Sequence, residues 1–78
     1  MAHDRQNLVP KTHIEEILRH RDWVEKLAMG LPQGDDRTRY FFEIYNTYLA
    51  TGNREEVETC ISCRGKVLMH IQKFYEND

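Results

Sequence analysis

Cys60 and Cys63, with Ile61 and Ser62 between them, form the C-x-x-C pattern that serves either thiol redox chemistry or half of a tetrahedral metal site. Thioredoxin-like redox use needs the first thiol at a helix N-terminus, where unpaired backbone N–H groups favour the thiolate, and a β-α-β surrounding. The sequence predicts neither. The helix that carries the pair reads as opening near residue 54, which sets Cys60 about two turns inside it, on an apolar stripe with Val57, Ile61 and Val67. Cys60 is therefore expected to be a core hydrophobe. Zinc is the alternative chemistry. Cys60 and Cys63 would supply two ligands, His70 lies one to two turns further along the same side, and His20, which shares a side of the first helix with His13, completes a Cys2His2 set. Such a site would staple two helices together and help a thin core. No other cofactor is expected.

Enzymatic catalysis is not expected. General acid–base work wants a carboxylate whose pKa is moved toward neutrality, whereas the acidic residues here gather at helix starts, where capping and the helix dipole account for them. A chain of 78 residues also has little interior in which to enclose a substrate pocket. It is one domain that hides only about 60% of its extended surface, so help from a partner, metal or second copy is expected. Hydrophobic residues at 40% and charged residues at 31% place the chain with globular proteins rather than disordered or collagen-like ones. No apolar run approaches the roughly 20 residues that span a bilayer, and the N-terminus lacks a secretory signal pattern. The reading is a cytoplasmic protein with no membrane partner, and two cysteines so close together fit a reducing compartment.

The elements that must position these residues are helices. Residues 1–11 have no period and are expected to form a flexible arm. Thr12 and Glu15 have capping-box spacing, and Ile14, Ile17, Leu18, Val24, Leu27 and Ala28 continue a stripe to Met29. Gly30, in a left-handed C-terminal cap, and Pro32 end it. Asp35 or Asp36 caps a second helix over 36–51, with Tyr40, Phe41, Ile44, Tyr45, Tyr48 and Leu49 inward. After Gly52, Asn53 and Glu56 repeat the capping box and open a third helix over 54–76, with Val57, Cys60, Ile61, Val67, Leu68, Ile71, Phe74 and Tyr75 on its stripe. Gly65 interrupts that helix, so a close approach by another helix backbone, from this chain or a partner, is expected there. Residues 12–78 are thus one all-α domain, a three-helix bundle or a helical hairpin with a third helix crossing it.

Two surfaces are left over. Trp23 falls near the polar face of the first helix and Phe42 at the edge of the second stripe. With Tyr40 and the arginines Arg19, Arg21, Arg37 and Arg39 they have the composition of a protein-binding surface. The preferred function is therefore contact with another protein, including self-association as a homodimer. Nucleic acid is a further alternative: the Thr51-Gly52-Asn53 joint has the look of a helix-turn-helix, and Lys66, His70 and Lys73 form a basic stripe. Against it, 11 basic and 13 acidic residues give a formal charge of -2, and Glu55, Glu56 and Glu58 would meet the phosphates.

The run Tyr45-x-x-x-Leu49-Ala50-Thr51-Gly52-Asn53-x-Glu55-Glu56 resembles the helix–Gly-Asn–helix joint of phage terminase small subunits and of tetratricopeptide repeats. Ile44-Tyr45-Asn46 together with the C-x-x-C and a short closing helix resembles small helical proteins of tailed phages. The first likeness implies DNA binding. The second implies a regulator or inhibitor of a host or viral machine, or a virion assembly component, in the host cytoplasm.

Overall fold

The computed structural model describes residues 5–50 and 55–76, and every regular element among them is helical. The helices are α1 (Lys11–Arg19), α2 (Arg21–Glu25), α3 (Asp36–Ile44) and α4 (Ile61–Glu76). A 3-10 turn at Arg5–Leu8 leads in, and a π-helical turn at Tyr45–Leu49 extends α3. The all-α expectation holds. Several of its boundaries need correction, each with a structural cause.

The lead-in is an ordered element from Arg5 onward: it packs against the π-helical turn, and Val9 is buried. The helix begins at Lys11 behind Pro10, whose carbonyl accepts from the N–H groups of His13 and Ile14, and no side chain caps it. The Thr12/Glu15 capping box does not form, because a helix that starts one residue early places Thr12 inside its first turn.

The single helix expected over 12–29 is two helices and a loop. His20, at φ -94° and ψ 13°, ends α1 and begins α2. The Ile17 carbonyl at this break accepts from the His20 N–H and from the Tyr75 hydroxyl at 2.7 Å, so a buried phenol of α4 completes the joint. Burial pushes the Tyr75 hydroxyl far above its ordinary pKa, helped by the Glu25 charge and opposed by Arg21, so it stays a donor.

Helix α2 stops at Lys26 and the chain then runs across α4. The Leu31 side chain is buried, and its N–H donates to the Arg64 carbonyl at 3.3 Å. Gly30 does not take the left-handed conformation, which among the described residues belongs to Gly34 at φ 87°. Its role is contact: a Cβ at Gly30 would lie 3.2 Å from the Gly65 nitrogen. The close approach expected at Gly65 is therefore real, but it comes from this loop and not from another helix.

Asp35 caps α3 as expected, its carboxylate accepting from the Arg37 N–H at 2.8 Å. The inward face is rotated from the expected stripe. Phe41, Ile44, Tyr45 and Leu49 are buried as expected and Thr38 and Phe42 join them, while Tyr40 and Tyr48 are half-buried. Thr38 fits this core because its hydroxyl donates to the Pro32 carbonyl at 2.6 Å. The π-helical turn, closed by the Ala50 N–H on the Tyr45 carbonyl at 2.7 Å, turns Tyr45 and Leu49 inward together.

The third helix opens at Ile61, seven residues later than expected. Asn46 is the cause: its amide nitrogen donates to the Glu56 carbonyl and its amide oxygen accepts from the Glu56 N–H, both at 3.0 Å. The side chain thereby competes with a helical start for the backbone groups of Glu56. The joint at 51–54, including the Asn53 cap, lies outside the described residues. The core is the seam where Ile17, Val24, Leu31 and Phe41 meet Val67, Leu68, Ile71, Phe74 and Tyr75 of α4.

Candidate functional site

Moving the helix start from 54 to 61 changes what the cysteines are. Cys60 stands at the N-cap of α4, since its carbonyl accepts the first intrahelical bond from the Arg64 N–H at 3.1 Å. Its sulfur accepts from the Cys63 N–H at 3.2 Å and lies 3.3 Å from the Ser62 hydroxyl. Cys60 and Cys63 are joined as a disulfide. Of the two requirements of a thioredoxin-like pair, a thiol at a helix N-terminus is met, and a β-α-β surrounding is absent, since every regular element among the described residues is helical. The two sulfurs differ in environment: Cys63, at 6% exposure, belongs to the core, and Cys60 is only partly covered. The expectation of a core Cys60 thus applies to its partner instead.

Around the pair, Glu56, Ser62 and Lys66 line a depression open to solvent. The Lys66 ammonium meets the Glu56 carboxylate at 3.2 Å, with the lysine half exposed and the glutamate largely covered. On the other flank, Met29, Gly30, Leu31, Pro32, Ile61 and Arg64 form a second shallow depression. Met29 is 90% exposed and Ile61 78% exposed, the two most exposed large apolar residues among those described.

The zinc set is not brought together. Both thiols are committed to each other. His20 lies 3.2 Å from Glu16 and edge-on to Phe41, whereas His70 bonds the Lys66 carbonyl through Nδ1 at 2.9 Å and packs edge-on to Tyr45. His13 bonds the Tyr40 hydroxyl at 2.9 Å. Among the described residues no group of three or more His, Cys, Asp or Glu side chains converges on a metal-sized point.

The expected protein-binding surface is also rearranged. Phe42 is buried at 5% exposure, because α3 is covered on more than one side and its apolar arc is wider than one stripe. Trp23 packs against Phe41 and is covered by the Arg37 guanidinium, 3.9 Å above its ring. The arginines have partners within the chain: Arg19 with Glu16, Arg21 with Glu25, Arg37 with Asp35 and Arg39 with Asp36, at 2.8 to 2.9 Å. The side-chain hydrogen bond from Arg37 holds the Asp35 carboxyl down to about 2. Tyr40 is half-buried, and burial with the nearby Glu16 charge raises its hydroxyl.

The basic stripe fares similarly. Lys66 is tied to Glu56, and the first turn expected to read a groove is not helical. The expected helices hide the exposure of Ile61, which they set on an inward stripe, and of Met29, which they set at the end of the first helix. The signal for Ile61 is Asn46, whose reach to Glu56 across ten residues no local pattern reveals. No helix among the described residues is long and apolar enough to cross a membrane.

Comparison with protein-family models, with curated proteins and with solved structures finds no match for this chain.

Proposed function

We propose that this chain is a small helical module that acts by binding another protein, and that the contact lies at the N-terminal end of α4. The observation that supports this reading is the pairing of Met29 with Ile61, exposed apolar side chains from separate segments that line one depression with Pro32 and Arg64. The backbone beneath them is fixed by the Gly30–Gly65 approach and by the Leu31 N–H on the Arg64 carbonyl, so little ordering is needed on binding. Methionine adapts its shape to a partner, and a flanking arginine supplies a directional donor. A regulator, an inhibitor and an assembly component all act in this way, and a second copy of the chain is one partner such a patch accepts.

The test is the double substitution Met29→Ser with Ile61→Ser. Both side chains are exposed, so helicity is unchanged and the unfolding free energy stays within about 1 kcal/mol of wild type. Association, read as partner retention in affinity capture and as self-association in sedimentation, falls at least about tenfold. Association equal to wild type in both assays overturns the proposal, as does a wild-type chain that shows none in either.

A further inference from the structure

We propose that Cys60 and Cys63 are a redox-active pair that exchanges with disulfides outside the chain, Cys60 making the attack and Cys63 resolving it. The inference stands on the cysteines and their surroundings, independently of the contact surface proposed above.

A structural bridge is the plainer reading of a disulfide, and its position argues against that. The bond joins residues of one helical turn, ties no two elements together and closes the kind of short loop that restrains an unfolded chain least. Helix geometry alone sets residues i and i+3 about 5 Å apart, and the two Cα atoms here are 5.1 Å apart. The first turn of α4 therefore accommodates both the bridge and two separate thiols without moving its backbone, as reversible use demands.

The surroundings favour the thiolate at Cys60. The α4 N-terminus directs the Cys63 N–H at the sulfur and the Ser62 hydroxyl lies within donating distance, while the Lys66 ammonium that borders the same depression is paired with the Glu56 carboxylate, which also lines it. A disulfide sulfur is a weak acceptor for these donors, whereas a thiolate is a strong one. Partial cover leaves Cys60 open to an incoming disulfide, and burial of Cys63 keeps the second sulfur from competing for it.

In the reduced protein the Cys60 thiolate attacks one sulfur of an external disulfide. A Cys60–substrate bond forms, the external S–S bond breaks, and one substrate thiolate leaves and takes a proton from water. Cys63 then loses its proton to water and attacks the Cys60 sulfur, which expels the second substrate thiolate and forms the Cys60–Cys63 bridge. Two electrons pass from the protein dithiol to the external disulfide. The bridged form accepts two electrons from an external dithiol by the reverse sequence.

The test uses reduced full-length chain with two probes, glutathione disulfide and insulin, read by intact-mass spectrometry. Cys63→Ser accumulates a mixed disulfide on Cys60 with at least one probe, while wild type passes through it and ends bridged. Cys60→Ser, left with the buried thiol, reacts at least about tenfold more slowly. Should Cys63→Ser lose helicity by circular dichroism, Cys63→Ala keeps the site apolar and serves instead. The ratio of the two probe rates distinguishes a small substrate from a protein-borne one, and trapping by either supports the proposal. Equal rates for the two single-cysteine variants, or a wild-type mixed disulfide that never closes to the bridge, overturn it.

Discussion

Helices α3 and α4 each begin at a side chain that accepts a hydrogen bond from the backbone of the first turn, and the two ends are finished differently. At α3 the acceptor is the Asp35 carboxylate, which takes the Arg37 N–H at 2.8 Å and the Arg37 guanidinium at 3.0 and 2.9 Å. That guanidinium in turn covers Trp23. Donor, charge and packing are matched to one another within the chain there. At α4 the acceptor is a Cys60 sulfur, the neighbouring cation is held by Glu56, and the next residue, Ile61, faces solvent. The lesson is that one electrostatic device, the helix N-terminus, builds structure when a carboxylate fills it and leaves chemistry available when sulfur does.

The difference is sharpest where the open end is held in place. Gly30→Ala would put a methyl 3.2 Å from the Gly65 nitrogen and 3.4 Å from the Arg64 carbonyl carbon, both backbone atoms, so the loop must lift. A loss of about 1–3 kcal/mol in urea unfolding is expected. Gly65→Ala meets only the Met29 carbonyl oxygen, at 3.4 Å, and gains about 1 kcal/mol of helix propensity, so it is neutral or stabilising. Opposite signs for two glycines in one contact would show that the loop, rather than α4, is the part that must yield.

Next in size is the closed end. Asp35→Ala removes the cap and releases Arg37 from its pair, and costs about 1–2 kcal/mol, with a shift in Trp23 fluorescence as the guanidinium leaves the ring. With the disulfide reduced in both proteins, Cys60→Ser, which keeps a capping acceptor, changes stability by less than about 0.5 kcal/mol. A Cys60→Ser loss as large as that of Asp35→Ala would erase the distinction between the two ends.

The smallest effect is one of pH. The Arg37 side chain, and then its N–H, hold the folded Asp35 carboxyl at about 2, below its ordinary 3.8. A depressed folded value contributes stability that is complete above the unfolded pKa and is lost as pH falls through the folded one. Stability should therefore decline from pH 3.8 toward 2, and Asp35→Asn should decline less steeply over that window. Identical slopes would show that the pair does not couple to folding.

Much of this was legible in the sequence where local chemistry decides. The Asp35 cap, the stripe from Val67 to Tyr75 and the need for a close neighbour at Gly65 all follow from residues within a few positions of one another. What was hidden depends on partners distant along the chain. Asn46 delays α4 by claiming Glu56, and Tyr75 completes the α1 break from 58 residues away. Thr38 takes a core place because Pro32 accepts its hydroxyl. The C-x-x-C motif was visible at once. Its helical register was not, and register decides whether Cys60 is a core side chain or an N-cap.

The most direct test of this account is the rate of iodoacetamide alkylation at Cys60 against pH, measured in the reduced protein and in Lys66→Met. Cys60 should react with a midpoint well below the roughly 8.5 of an unperturbed thiol, Cys63 should be slow throughout, and Lys66→Met should move the Cys60 midpoint upward. A midpoint at or above that of a free thiol, unchanged in Lys66→Met and equal for the two cysteines, would contradict it.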